Sequence, residues 1–436
     1  MICDCSPVNF AHAILAVLAL LSLVLALWQW FAARRFPLHR RVTDVSFSPG
    51  ITLLKPLKGC DETTAESLQS WLNQKYAGQT QILFGVADTD DPVCKIVREL
   101  IAENPGQDAQ LVVCDRLSGA NAKVAKLAQL EKLAKHDLIL VSDADVRVPP
   151  DFLANIVAPF CEEGGAGSPL LAAEMETNLG AHGVTRPTSI GLVCCFYRLA
   201  NPTTTAMQWE AVAVNADFWS QVLQAANLKP LAFGLGAVML TQRKLLEEIG
   251  GFRALADCLA DDYQLGHRIA RNGHSIALCP VVAECWDAPM NRREVWKHQL
   301  RWARTIRVCQ PLPYFFSILS NATLWPLSWL VADLPKLSAT TVQNTNYGFF
   351  QTSEIGIKLP CGIMIAIAIL LIRIVLAQNL QRRFTPGTKL VSPVWLVPVK
   401  DLFQVALWLG AFTGNTVEWR GRRMKLRRDG TLVEVK

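Results

Sequence analysis

The chain has 436 residues, of which 51% are hydrophobic and only 18% are charged. Charged residues make up about a quarter of a typical soluble domain, so this composition favours a membrane protein with a large folded part. The net charge of +6 is modest and the basic residues cluster beside apolar segments, so we expect no nucleic-acid partner. The 13 cysteines include no Cys-x-x-Cys pair, which predicts reduced, mostly buried thiols rather than a zinc site or a disulfide framework.

The first apolar segment, residues 13–31, carries no charge and is long enough to cross a bilayer as a helix. Trp28 and Trp30 lie near its end, where aromatic side chains collect at the membrane interface. A secretory signal peptide is the alternative, but no basic region precedes the segment and no cleavage motif follows it. The basic flank at residues 34–41 predicts, by the positive-inside rule, that the chain up to about residue 308 faces the cytosol.

Apolar segments return near the C-terminus. Residues 308–332 carry no charge, and residues 359–377 carry only Arg373, which we expect to snorkel towards the interface. A third stretch, residues 402–417, lies between a charged pair and a strongly basic tail. Because both of its flanks are expected on the cytosolic side, this stretch is predicted to be re-entrant or interfacial rather than spanning.

The middle of the chain alternates between apolar strands and amphipathic helices. The predicted strands include residues 51–54, 82–86, 111–114 and 138–141. Continuous apolar strands that alternate with helices predict an α/β fold with a mostly parallel sheet covered on both faces. We therefore predict an N-terminal anchor with its basic flank (1–41), a cytosolic α/β domain (42–308) and a C-terminal membrane region (309–436).

Acidic residues follow two of the predicted strands. Asp88 comes shortly after the second strand, and Asp143 and Asp145 follow the fourth. Ligands of open α/β sheets bind beyond the carboxyl ends of the strands, and the mutual repulsion of carboxylates there is relieved by a bound cation. Because Mg²⁺ prefers one or two carboxylates together with substrate phosphates, the pattern predicts a metal site for a diphosphate leaving group. Solvated loop aspartates are the alternative interpretation.

A second acidic pair, Asp261 and Asp262, precedes a predicted helix that runs to Arg271 and stops at Asn272-Gly273. One of these acids can act as the general base that takes a proton from an acceptor hydroxyl. The alternative is a helix N-terminus, where acidic side chains interact favourably with the helix dipole.

A basic motif precedes the second apolar segment. Arg301, Arg304 and Arg307 are three residues apart, and Trp302 follows the first of them. On one helix face these arginines can bind pyrophosphate or lipid headgroups. An ordinary positive flank of a membrane segment is the alternative.

Together these residues resemble the lipid-acceptor branch of the inverting GT-A glycosyltransferases, and more narrowly ceramide glucosyltransferase and the hopanoid-associated glycosyltransferases of bacteria. The resemblance covers nearly the whole chain and follows one motif order: residues 53–59, Asp88, Asn121-Ala122-Lys123, Asp143-Ala144-Asp145, Asp262 and Arg301-Trp302. It implies a GT-A fold, a UDP-hexose as donor, a membrane lipid as acceptor, and Mg²⁺ or Mn²⁺ as the metal.

The resemblance also implies how the donor is bound. Asp145, together with Asp143, would hold the metal against the diphosphate. Asp143 would thereby also contact the donor. Asp88 and Lys123 would position the nucleotide.

On the acceptor side, the resemblance assigns Asp262 as the base that deprotonates the lipid hydroxyl, and Arg301 and Trp302 as residues that shape the donor and acceptor pocket. Two positions differ from the family. His298 stands where the motif has Gln or Arg, and Cys194 stands where animal ceramide glucosyltransferases have His after Gly-Leu-Val. The second difference favours a bacterial lipid, such as a hopanoid polyol or diacylglycerol, as the acceptor.

Three other functions stay open: transfer of N-acetylglucosamine to a hopanoid lipid, processive polysaccharide synthesis, and an inactive scaffold that keeps the transferase fold. A polysaccharide channel needs more spanning helices than the two or three predicted after the catalytic region. We expect an integral, multi-pass protein, with the catalytic domain facing the cytosol, in a bacterial inner membrane.

Overall fold

The structure, a computed structural model, describes residues 7–115, 118–161, 189–340, 361–387, 392–419 and 422–434. The strands are β1 (Ile51–Pro56), β2 (Thr80–Val86), β3 (Asp108–Val113), β4 (Leu138–Ser142), β5 (Val146–Arg147), β6 (Ile190–Leu199), β7 (Val238–Gln242), β8 (Ser275–Cys285), β9 (Thr416–Trp419), β10 (Arg422–Leu426) and β11 (Leu432–Glu434).

The helices are α1 (Pro7–Arg35), α2 (Thr64–Leu72), α3 (Val93–Glu103), α4 (Ala122–Leu130), α5 (Phe152–Cys161), α6 (Thr205–Val212), α7 (Trp219–Leu228), α8 (Arg243–Glu248), α9 (Asp261–Arg271), α10 (Arg292–Cys309), α11 (Pro311–Phe316), α12 (Leu324–Thr340), α13 (Cys361–Phe384) and α14 (Leu396–Phe412). A π-helical segment, Ala213–Phe218, joins α6 to α7.

The main sheet in the described part of the chain has the strand order β3-β2-β1-β4-β7-β6-β8-β5. β1 pairs in parallel with β2 and β4, β2 with β3, and β6 with β8. β7 runs antiparallel to both β4 and β6, and β5 runs antiparallel to β8. The predicted α/β fold with a mostly parallel sheet is therefore confirmed, and the antiparallel β7 connects its two parallel parts.

Apolar side chains pack on both faces of this sheet. On one face, the ring of Trp219 stacks on Phe384 of α13 with centroids 4.9 Å apart. On the other face, Trp71 of α2 meets Phe152 of α5 edge to face at 5.6 Å. The described cysteines are free and mostly buried, as the composition predicted. Because Phe384 belongs to an apolar helix, the sheet and the C-terminal helices share one core.

Two helices in the described residues, at Phe10–Arg35 and Cys361–Phe384, are long and apolar enough to cross a membrane. The apolar segment at residues 308–332 is divided, since α10 ends at Cys309 and a pair of helical segments bent by 46° follows. α1, α12 and α13 pack together through apolar side chains, namely Ala19, Trp329, Ala366 and Ile369. The chain therefore presents a bundle of apolar helices beside its α/β part.

A buried cluster of four charged side chains joins this bundle to the α/β part. Arg373 of α13 is only 7% exposed, and its Nη2 lies 2.9 Å from Asp217 Oδ2 and 2.8 Å from Asp401 Oδ1. Lys400 Nζ contacts Asp217 and lies 2.6 Å from Asp401 Oδ1. The expectation that Arg373 snorkels is wrong, because two carboxylates neutralise its charge inside the protein. We call these four residues the charge cluster.

The C-terminal tail folds into a small antiparallel sheet of described strands in the order β11-β10-β9. Its backbone is tied to the loop before α9, since Leu432 N donates to Asp257 O at 2.7 Å and Leu259 N donates to Gly430 O at 3.3 Å. Apolar side chains of the tail pack against Ala120 and Val308. The tail thus contacts the start of α4, the loop before α9 and the end of α10.

Candidate active site

Asp88 and Asp143 lie at the same edge of the main sheet. Asp88 follows β2 and Asp143 follows β4, and β1 lies between these two parallel strands. Asp143 N donates to Ala237 O at 3.3 Å, which ties this loop to the residue before β7. Asp88 is exposed and accepts a hydrogen bond from Asp90 N at 3.0 Å. Both residues therefore occupy the predicted edge, and the role of Asp88 in donor binding stays a prediction.

Lys123 connects the two acidic motifs. Its Nζ lies 2.7 Å from Asp143 Oδ1 and 3.2 Å from Asp261 Oδ2. Burial opposes the positive charge, but the carboxylates of Asp143 and Asp261 outweigh it and raise the pKa of the Lys123 ammonium group. Lys123 is therefore held as a cation between the predicted metal motif and the helix that carries Asp262.

Asn121 explains how Lys123 reaches both carboxylates. Its side chain caps α4 by accepting hydrogen bonds from Lys123 N at 3.1 Å and Val124 N at 3.3 Å. Its Nδ2 donates to Cys258 O at 2.8 Å. One buried amide thus fixes the start of α4 against the loop that leads into α9.

Asp145 lies where negative charge is concentrated. Burial, together with the charges of Asp143 and Asp287, raises the pKa of its carboxyl group to about 7. Its backbone is held by Trp286 N, which donates to Asp145 O at 3.0 Å. A bound cation would relieve this repulsion, as the sequence predicted.

The residues present suit a hard divalent cation that shares its coordination with substrate. No group of three or more His, Cys, Asp or Glu side chains that could hold a metal occurs in the described residues. Asp143 and Asp145 can supply two carboxylates, which is the usual protein contribution to a Mg²⁺ site completed by phosphate oxygens and water. The donor set therefore fits a metal that binds together with a nucleotide diphosphate.

Asp262 lies in the first turn of α9, whereas the sequence placed it just before the helix, and its role as the base stays a prediction. Its Oδ1 accepts a hydrogen bond from Tyr263 N at 2.7 Å. A Cβ atom at Gly236 would lie 2.8 Å from Asp262 Oδ2, so this glycine leaves the space that the carboxylate occupies. Burial and the neighbouring charge of Asp261 raise the pKa of Asp262 to about 6. A carboxylate with such a pKa is ionised at neutral pH and is a stronger base than an exposed one.

Arg301 and Trp302 lie on α10, which begins with a capping box formed by Asn291 and Glu294. Trp302 packs against the apolar core of the sheet. Two further arginines on this helix bind the protein's own tail, since Arg304 donates to Thr416 O and Arg307 Nη2 donates to Gly414 O at 3.4 Å. These two side chains therefore hold the tail against α10, and the roles of Arg301 and Trp302 at substrate stay predictions.

The sequence model of one protein family matches nearly the whole chain, over residues 14–183 and 179–432, and its description is glycosyl transferase family 21. The chain belongs to glycosyl transferase family 21. The resemblance to ceramide glucosyltransferases is confirmed with it, because this family 21 protein also matches proteins of that name.

It is 23% identical to ceramide glucosyltransferase 3 of Caenorhabditis elegans over 252 residues, which is 56% of this chain and 48% of the relative. It is 20% identical to ceramide glucosyltransferase 1 of the same organism over 399 residues, which is 91% of this chain and 76% of the relative. The match thus spans about half the length of the first relative. Among solved structures, a mannosyltransferase from Pyrobaculum calidifontis in complex with GDP-Man and Mn2+ is 20% identical with a TM-score of 0.46, covering 90% of this chain and 99% of that chain.

The sequence did not predict that three charged side chains of this family 21 protein, Lys55, Asp287 and Glu210, are largely buried. Lys55 lies fully buried inside β1, and its Nζ donates to Ser142 Oγ at 3.3 Å and to the carbonyl oxygen of Asp143. Burial lowers the pKa of Lys55 to about 7. A lysine within an apolar strand was the available signal for Lys55, and an acid shortly after β8 was the signal for Asp287. Glu210 had no such signal.

The raised pKa of Asp262 predicts the acid side of the pH–rate profile. A base acts in its deprotonated form, so kcat/KM should be at its plateau above the pKa and fall as the pH decreases through about 6. If Asp145 holds the metal, saturating metal would keep its carboxyl group deprotonated, and Asp145 would then not contribute to the fall near pH 6. Initial rates between pH 4.5 and 8 measure it, and a plateau that continues unchanged to pH 4.5 would contradict the assignment.

Proposed function

We propose that this family 21 protein is an inverting glycosyltransferase that moves a hexose from a UDP-sugar to the hydroxyl group of a membrane lipid. The observation that carries the proposal is the position of Lys123, whose ammonium group lies between Asp143 and Asp261 beside Asp262. With Lys123 as the cation, Asp143 and Asp145 as the proposed metal ligands and Asp262 as the proposed base, this edge of the sheet would bind the nucleotide and activate the acceptor. Apolar helices lie next to this α/β part and would give access to a water-insoluble acceptor.

On the donor side, Asp143 and Asp145 would hold Mg²⁺ or Mn²⁺. When bound, the ion supplies positive charge for the diphosphate as it leaves. Lys123 stays protonated because of its two carboxylate neighbours and adds a fixed positive charge at the same place. Asp88 at the neighbouring strand end would orient the nucleotide, and Arg301 would add a second cation from α10.

On the acceptor side, Asp262 takes the proton of the lipid hydroxyl as its oxygen attacks the anomeric carbon. The bond between that carbon and the diphosphate oxygen breaks in the same displacement, so the configuration inverts and UDP leaves. Gly236 keeps the space beside the Asp262 carboxylate open. Trp302 would form an apolar wall of the pocket, and α1 and α13 would keep the site at the membrane.

The choice among lipid acceptors does not follow from Cys194. Cys194 and its neighbour Cys195 are fully buried in β6 and are 0% exposed. The Cys194 side chain is therefore not exposed where an acceptor could contact it. Ceramide, diacylglycerol and a hopanoid polyol are the acceptors to compare, with a cytosolic site in a bacterial inner membrane as the proposed setting.

A radiolabelled transfer assay tests the proposal. Membranes that contain the protein receive labelled UDP-glucose or UDP-N-acetylglucosamine, Mg²⁺ or Mn²⁺, and each of the three lipids in parallel. A labelled lipid that requires the metal and disappears with Asp262→Asn would establish the reaction and identify both substrates. Folded protein that labels no lipid in any combination would overturn the proposal, and labelled polymer would support a polysaccharide synthase instead.

A further inference from the structure

Glu210 is a buried carboxylate that the proposed mechanism does not use. It lies on α6 and is 0% exposed. Its Oε1 accepts a hydrogen bond from Gln299 Nε2 at 2.7 Å and lies 2.8 Å from His298 Nδ1. Its Oε2 is buried and has no hydrogen-bond partner among the described residues. His298 Nδ1 is also buried without a hydrogen-bond partner, so among the described residues Gln299 hydrogen-bonds this carboxylate and His298 makes a close polar contact with it.

His298 links this carboxylate to the predicted substrate pocket. Its ring centroid lies 4.6 Å from that of Trp302, at an angle of 60° between the ring planes. The two residues are one helical turn apart, so their side chains lie on the same face of α10. His298 also occupies the position where the family motif has Gln or Arg. The imidazole is therefore confined between the buried carboxylate and the indole.

The same contacts lie near the Asp145 side of the site. The charges of His298 and Glu210 both act on Asp287, and the charge of Asp287 in turn acts on Asp145. Trp286, which precedes Asp287, holds the backbone of Asp145 through a 3.0 Å hydrogen bond.

We propose that Glu210 is a positioning residue, which fixes the imidazole of His298 and through it the indole of Trp302 at the substrate pocket. The inference rests on the proposed function, because Trp302 matters to catalysis only if it shapes that pocket. The competing explanation is that Glu210 simply joins α6 to α10. The two explanations differ in how the effect of Glu210 depends on Trp302.

A double-mutant cycle separates these explanations, because effects that act through a shared partner are not additive. Glu210→Gln is made in the wild-type chain and in Trp302→Ala, and kcat/KM for lipid labelling is measured beside the thermal midpoint. We expect Glu210→Gln to lower kcat/KM by about tenfold to a hundredfold in the wild type, because small displacements of positioned groups have effects of that size. In Trp302→Ala the same change should alter kcat/KM by less than about twofold.

Gln299→Ala is the matched control, because it removes a hydrogen bond to the same carboxylate oxygen while His298 and Trp302 stay in place. It should lower the thermal midpoint, because a buried carboxylate loses a hydrogen bond, but it should keep kcat/KM within about twofold of the wild type. An equal kinetic loss in Gln299→Ala, or a Glu210→Gln effect that persists in Trp302→Ala, would overturn the inference. If Glu210→Gln does not fold, His298→Ala in the same two backgrounds replaces it. A wild-type protein that labels no lipid would instead contradict the proposed function.

Discussion

Asp262→Asn is expected to abolish sugar transfer and to leave donor binding nearly unchanged. The amide has the size of the carboxylate and keeps an oxygen to accept the hydrogen bond from Tyr263 N, so the first turn of α9 should be preserved. It cannot accept the proton of the lipid hydroxyl, and loss of a general base lowers rates by about 10²–10⁴-fold. Initial rates of lipid labelling and calorimetric titration with UDP measure the two properties separately.

Asp261→Asn is the matched comparison, because it removes the same charge from the adjacent residue. Asp261 Oδ2 lies 3.2 Å from Lys123 Nζ, so this change should remove one of the two ion pairs that hold the Lys123 ammonium group. We expect it to raise KM for the donor more than it lowers kcat. Near-wild-type turnover by Asp262→Asn would show that another group takes the proton. A reversed pattern, with the larger loss of kcat in Asp261→Asn, would exchange the two assignments.

Arg373→Met is expected to destabilise the protein by about 3–5 kcal/mol, the usual result when one partner of a buried ionic group is removed. Methionine fills much of the volume of arginine but carries no charge. Lys400 would then be the remaining cation of the charge cluster for the two carboxylates of Asp217 and Asp401. One buried negative charge would therefore have no ion-pair partner within the charge cluster. Because the charge cluster joins α13 and α14 to the π-helical segment, we expect the α/β part and the apolar helices to lose their common packing. Thermal unfolding in detergent measures the effect.

Lys95→Ala supplies the control for this prediction. The pair of Lys95 and Glu99 is also ionic, but its side chains are 83% and 59% exposed and its atoms are 3.9 Å apart. Such surface pairs contribute about 0–1 kcal/mol, so the thermal midpoint of Lys95→Ala should stay close to that of the wild type. A midpoint of Arg373→Met equal to that of Lys95→Ala would show that the charge cluster gives no net stabilisation.

Local sequence patterns predicted those features of the fold that are set by residues close together in the sequence. An apolar run sets the length of a helix, and an acid after a buried strand must lie at the sheet edge. Asp88 and Asp143 lie at that edge, as those patterns predicted. The sequence also predicted that the helix α9 stops at Asn272-Gly273. The structure confirms it, since α9 ends at Arg271 and Gly273 has a φ of +90°, a conformation that favours glycine.

The family resemblance added Lys123, but the contact of its ammonium group with Asp261 required the folded chain. Asn121 creates that contact through a hydrogen bond to Cys258, which is 137 residues away. The local sequence pattern did not distinguish Asp261 from Asp262 as the candidate base. The resemblance selected Asp262, and the fold adds that Asp261 faces Lys123 while Asp262 lies beside the space left by Gly236.

The sequence by itself therefore determined the class of fold, the apolar helices α1 and α13, the sheet edge that carries Asp88 and Asp143 and, through the resemblance, the family. Only the tertiary structure decided which buried charges meet. Arg373 pairs with Asp217 at a separation of 156 residues, and Glu210 pairs with Gln299 at a separation of 89. The physical reason is that hydrophobic periodicity shows which face of an element is buried, whereas the partner of a buried charge depends on how distant elements pack.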